Sequence, residues 1–121
     1  MLQVHAHFLA RLLPNGRIVT SPMEPVTLGI LDAYAFAKDD EARPGRVPHH
    51  WDVTSDSLAA RAAIVSQARE LVLLKSADWE GQDWAAAARA DVVDPYFPQV
   101  MAQAPGLAVR VINLRTWEPK D

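Results

Sequence analysis

Apolar side chains return every fourth position at the start of the chain. Val4, Phe8 and Leu12 line up, and Leu2, Leu9 and Leu13 broaden the same side, so the spacing predicts an amphipathic helix over Leu2 to Leu13. Pro14-Asn15-Gly16 ends it. Arg17 to Thr20 reads as a short strand, closed by Ser21-Pro22 and by Pro25, which has no N–H to give to a central ladder. Val26 to Phe36 is apolar with β-branched and aromatic members; its early part suits a strand, while Leu28, Leu31 and Ala35 suit a helix face equally well. Lys38 to His50 is polar and broken by Pro44, Gly45 and Pro48, which predicts a surface loop.

Beyond that loop the pattern sharpens. Thr54-Ser55-Asp56-Ser57 supplies N-cap chemistry, and Leu58, Ala59, Ala62 and Val65 follow as an apolar stripe, predicting a helix from about Ser55 to Ala68. Leu71-Val72-Leu73-Leu74 is a continuous apolar run of the kind buried on both faces of a parallel sheet, and Lys75-Ser76-Ala77-Asp78 leaves its carboxyl end. Trp84 to Ala90 is alanine-rich and helix-prone. Asp94-Pro95 marks the start of a further helix through Ala104, stopped by Pro105-Gly106. Leu107 to Leu114 ends the series as a Val- and Ile-rich strand, followed by a polar tail from Arg115 to Asp121. Helix, strand, helix and strand in succession predict an α/β architecture, a three-layer sandwich with a mainly parallel sheet and flanking helices.

Composition narrows the chemistry. A chain of 121 residues suits one domain, and zero cysteines exclude disulfides, thiolate zinc sites and cysteine nucleophiles. Lys plus Arg number 12 against 15 Asp plus Glu, a net charge of −3 with no basic run, so a nucleic-acid surface is not expected. Apolar stretches break well short of the roughly 18 residues a membrane span needs, and Met1 to Pro14 lacks the layout of a secretion leader, which together predict a cytoplasmic protein without a membrane partner.

Ligands of parallel sheets gather beyond the carboxyl ends of strands, near helix N-termini. Two segments fit that position. Pro48 to Ser57 opens a helix with hydroxyls and free amides, while Asp52 and Asp56 would repel a bare anion, so it favours a ligand of mixed charge; ordinary helix capping accounts for the same residues. Lys75-Ser76-Ala77-Asp78 offers a cation for phosphate and hydrogen-bonding groups for a ribose, a base or a metal-bound water, and is equally an ordinary solvent-facing strand exit. The four histidines do not suggest a metal site: His5 and His7 diverge by about 200° on a helix, and His49 and His50 are adjacent. Trp79 and Trp84 suit an aromatic lip over a base, or buried packing or a subunit contact. The five glycines are isolated, with no phosphate-loop pattern among them, and no nucleophile elbow is present.

The strings Trp51-Asp52-Val53-Thr54-Ser55-Asp56-Ser57-Leu58-Ala59-Ala60, Leu71-Val72-Leu73-Leu74-Lys75-Ser76-Ala77-Asp78, Val93-Asp94-Pro95-Tyr96-Phe97 and Val111-Ile112-Asn113-Leu114-Arg115 together resemble the amino acid kinase superfamily. The first string is similar to the subgroup related to aminomethylfuran phosphate kinase; the second is shared more loosely with uridylate, aspartate and acetylglutamate kinases. The resemblance covers the C-terminal, nucleotide-binding half of the family domain, with Leu2 to Leu13 matching a helix in its middle, so residues 1–121 are expected as a single truncated domain of that fold.

The resemblance implies ATP-dependent phosphorylation of a small, amine-bearing and already phosphorylated metabolite. It implies acceptor contacts from Thr54, Ser55 and Asp56, nucleotide contacts from Lys75, Ser76 and Asp78, and ATP with magnesium as the cofactor. No catalytic residue is assigned. Where the family carries Val-Asp-Gly at the strand exit, this chain has Ala77-Asp78-Trp79, an indole in place of a glycine turn. The family's glycine-rich phosphate loops have no counterpart here, so the chain is expected to be inactive alone, since phosphoryl transfer depends on such positioning and electrostatics. An alternative expectation is a non-catalytic interaction or regulatory module that keeps half of the kinase fold. Either way a sheet cut at its middle needs cover, which predicts a homo-oligomer or association with another chain.

Overall fold

In a computed structural model, residues 16–26, 28–48 and 53–118 are described. The expected helix over Leu2 to Leu13, and His5, His7, His49, His50, Trp51 and Asp52, lie outside the described residues. The chain divides into two compact units, 1–47 and 48–121, each α/β and each built on two parallel strands.

In the first unit, β1 (Arg17–Val19) pairs in parallel with β2 (Gly29–Leu31), Ile18 opposite Ile30. Gly29 allows close approach, because a Cβ there would lie 2.9 Å from Val26 Cγ2 and 3.2 Å from Val19 Cγ2. Val26 to Phe36, open between strand and helix on pattern alone, contains both. The strand stops at Leu31, and Asp32 begins α1 (Ala33–Asp40) by accepting from the Ala35 N–H at 3.0 Å. The loop expected from Lys38 therefore starts later. Lys38 to Asp40 complete the last turn of α1, where Arg43 bridges Asp39 at 2.8 Å and the buried Asp40 at 3.1 Å. Phe36 is fully buried in this unit, with Val19, Ile30 and Val47 also buried.

The second unit runs α2 (Ser55–Val65), β3 (Glu70–Lys75), α3 (Trp84–Arg89), α4 (Phe97–Met101) and β4 (Ala108–Asn113). β3 and β4 are parallel over their full length, from Glu70 opposite Ala108 to Lys75 opposite Asn113, and their connection holds both short helices. α2 packs on β3, and α4 packs on both α2 and α3. Phe97 and Val100 are wholly buried, with Trp84 set edge-on to Phe97 at 5.2 Å between ring centres.

Three expectations are corrected here. α2 ends at Val65 rather than Ala68, because Gln67 turns left-handed at φ +56° and the Ala68 N–H closes back onto the Ala63 carbonyl. The last helix covers only Phe97–Met101, Asp94 to Tyr96 forming a turn ahead of it. The run Leu71 to Leu74 is not buried on both faces: Leu73 is, whereas Leu74 is 59% exposed, since in a two-stranded sheet alternate side chains face opposite sides and α2 packs on one of them. The parallel α/β character stands, in two small sheets. Among the described residues no helix is long and apolar enough to cross a membrane.

Candidate functional site

The carboxyl end of β3 and the first turn of α2 meet. Thr54 caps α2, its hydroxyl accepting from the Asp56 N–H at 3.3 Å, and this turn carries Asp56 toward the strand. Lys75 is the last residue of β3, held in the ladder through its carbonyl, which accepts from the Leu114 N–H at 2.8 Å. Its ammonium lies 2.7 Å from each oxygen of the Asp56 carboxylate, with side chains 26% and 11% exposed respectively. A cation and an anion, half withdrawn from water but reachable, thus share one rim.

Behind this pair sits Asp94. One carboxylate oxygen accepts from Thr54 N and Thr54 Oγ1, both at 2.9 Å, and from Ser57 N at 3.1 Å. The other accepts from Ser57 Oγ at 2.6 Å, Tyr96 N at 3.0 Å and Phe97 N at 2.8 Å. Burial by itself would push this acid up. The hydrogen bonds from Ser57 and Thr54 outweigh it and hold Asp94 below the usual carboxylate range. The same carboxylate therefore ties the start of α2 to the turn that begins α4.

Of the residues singled out from the sequence, Asp56 and Lys75 are brought into contact and Thr54 stands one residue before the turn that carries Asp56. Asp78 lies at the end of β4, accepting from Asn113 Nδ2 at 3.3 Å. Ser55 and Ser76 are exposed to solvent. On residue order alone Asp94 reads as the start of its own helix. The signal for the larger role is faint: an acid following the buried Val92 and Val93 and preceding a proline. Asn113 carried no signal beyond its place at a strand end.

Two shallow hollows, of about 300 Å³ and 340 Å³, lie elsewhere in this unit. The first is walled by Trp79, Gln82, Trp84 and the strand Val109 to Val111; the second lies between Trp84, Met101 and Leu107. Neither is lined by Asp56 or Lys75. Trp84 serves core packing against Phe97, while the Trp79 indole N–H is buried without a hydrogen-bond partner. Among the described residues no three His, Asp or Glu side chains gather as a metal site.

No protein-family model matches the chain, and no curated protein or solved structure matches it.

Proposed function

We propose that this chain is the nucleotide-binding half of an amino acid kinase-type phosphotransferase, acting on a small, amine-bearing and phosphorylated metabolite with ATP and magnesium. The observation that carries the reading is the 2.7 Å contact between Lys75 and Asp56, at the junction of a strand's carboxyl end and a helix's first turn. A point cation there suits a phosphate, and a carboxylate beside it suits an ammonium group. A zwitterionic acceptor together with a nucleotide replaces each partner of the pair by an equivalent charge, so the site opens without leaving a buried charge unpaired. On this reading Thr54, Ser55 and Asp56 face the acceptor, Lys75, Ser76 and Asp78 face the nucleotide, and the parallel strands belong to the larger three-layer sandwich of that fold.

Phosphoryl transfer needs backbone amides and a lysine cradling the transferring group, and the isolated glycines of this chain do not build such a loop. The turnover-competent form on this reading is completed by glycine-rich loops from further polypeptide, in a cytoplasmic setting where ATP is available. Calorimetric titration of the whole chain with ATP and magnesium tests binding: measurable heat and a rise in melting temperature are expected, because a ligand that binds only the folded state stabilises it. Absence of both at millimolar nucleotide removes the proposal.

A non-catalytic interaction module is the second reading. It is favoured by the exposure of Leu74, Leu114 and Trp117, at 59%, 54% and 55%, next to a sheet of only two strands. Sedimentation velocity decides it: the module reading expects a homo-oligomer or stable association, and a lone monomer across micromolar concentrations contradicts it.

A further inference from the structure

We infer that Asp94 is a positioning residue for the Asp56–Lys75 rim: by gripping the first turn of α2 it sets where the Asp56 carboxylate meets the lysine. The hydrogen bonds of the Asp94 side chain go to Thr54, Ser57, Tyr96 and Phe97 rather than to either member of the pair. Its role in binding rests on the rim being a ligand site, as proposed above, whereas its control of the pair's geometry does not.

Each carboxylate oxygen of Asp94 receives three hydrogen bonds, and all six donors come from two short stretches, Thr54 to Ser57 and Tyr96 to Phe97. The Thr54 and Ser57 amides bracket Asp56 on both sides, so the backbone of Asp56 is held between two fixed points. Its own amide is taken by the Thr54 hydroxyl. Ser57 is wholly buried and Asp94 is 6% exposed, so the bonds from Ser57 and Phe97 are shielded from water, while those from Thr54 and Tyr96 lie nearer the surface. The other anchor of the rim is the β3–β4 ladder that ends at Lys75. Asp94 thus references a helix start to the turn before α4, and the Asp56–Lys75 contact closes the remaining gap to the sheet.

The chemistry demands a carboxylate at this position. An asparagine of the same shape must turn its NH2 toward one of the two oxygen sites, and each site faces two backbone N–H donors, Thr54 and Ser57 on one side, Tyr96 and Phe97 on the other. Neither flip avoids a donor-to-donor clash. The Asp94→Asn substitution therefore shifts the first turn of α2 even though the side chain's volume is kept.

The test reads the lysine directly. The chain has three lysines, Lys38, Lys75 and Lys120. The whole protein, folded and at low conversion, is treated with acetic anhydride, and acetylation of Lys75 is followed by mass spectrometry relative to Lys38. Asp56→Asn defines the rate of a released ammonium, expected about threefold above wild type, the scale set by a partly exposed ion pair. Asp94→Asn is expected to approach that rate, and Ser57→Ala to move part of the way. Asp83→Ala, which removes the side-chain cap of α3, is expected to leave Lys75 at the wild-type rate. Wild-type labelling of Lys75 in both Asp94→Asn and Ser57→Ala, against a raised rate in Asp56→Asn, overturns the inference. An unchanged rate in Asp56→Asn overturns it also, because no pair is then being held. Should Asp94→Asn not fold, Ser57→Ala decides alone, since it deletes one bond and keeps the carboxylate. Titration of ATP and magnesium into the same variants separates the two proposals: no heat with wild type defeats the phosphotransfer reading while the labelling result stands on its own, and binding weakened about threefold by Asp94→Asn but not by Asp83→Ala extends the positioning role to the ligand.

Discussion

The β3–β4 ladder has an ion pair at each end. At the amino end Arg110 reaches Glu70 on the neighbouring strand with two contacts, Nε to Oε2 at 3.1 Å and Nη2 to Oε1 at 3.2 Å, and the side chains are 60% and 41% exposed. At the carboxyl end Lys75 reaches Asp56 on a helix, with side chains 26% and 11% exposed. By geometry alone the fork at the amino end is the better-formed pair. Its strength is nevertheless spent against solvent, and Glu70 and Arg110 are both placed by the one β3–β4 ladder, with no buried side chain gripping the backbone beside either among the described residues. The acid at the carboxyl end is less forked but anchored, since the residues on either side of it are bound to Asp94. What makes a charge pair specific here is the fixing of the backbone beneath it.

That contrast can be broken most sharply at its root. Replacing Asp94 by alanine takes the acceptor from four backbone N–H groups and two hydroxyls, of which the Ser57 amide and hydroxyl and the Phe97 amide are buried. A loss of about 3 kcal/mol in unfolding free energy by urea denaturation is expected. A loss no larger than that of an exposed cap would show that the hub carries little.

Acid should act on the same residue more gently. Asp94 is held below its ordinary value, so the folded state favours its charged form. The stability it contributes is present above the unfolded carboxylate value, near 3.8, and is lost as pH falls from there through the folded value. Urea midpoints measured downward from pH 5 should drop more steeply in wild type than in Asp94→Ala, whereas parallel curves would contradict the assignment.

Lys75→Met comes third. It removes the ammonium that pairs with the Asp56 carboxylate, and about 1 kcal/mol of destabilisation is expected from the same urea measurement. Glu70→Gln at the opposite end should cost less than about 0.5 kcal/mol, and that small effect should shrink further in high salt. If Glu70→Gln proved the more damaging of these two, the contrast between an anchored and an unanchored pair would be reversed.

Much of this unit could be read from residue order. The N-cap at Thr54, the strand ending at Lys75 and the short helix from Trp84 all follow from local chemistry, since capping, apolar runs and helix-prone alanines act within a few residues. The two polar segments suggested as a site were also legible, and Asp56 and Lys75 do meet. The misreadings share a cause. Leu71 to Leu74 looks doubly buried because an apolar run carries no information about how many layers cover it, and Leu74 is exposed. Val26 to Phe36 looks ambiguous because its strand and its helix are both short and apolar, with only Asp32 marking the boundary.

Asp94 shows where such reading stops. That an acid before a proline starts a helix is a statement about neighbours in the chain; the Tyr96 and Phe97 amides do close onto Asp94, but as a turn ahead of the helix at Phe97. That the same carboxylate also grips Thr54 and Ser57 depends on α2 and α4 packing together, which brings residues 37 and 40 positions apart within hydrogen-bonding distance. Local propensity and periodicity, written in adjacent residues, determined the elements and their order. The meeting of Asp56 with Lys75, and the carboxylate that steadies it, were decided by packing, because a hydrogen bond between distant residues exists only once the core has brought their backbones together.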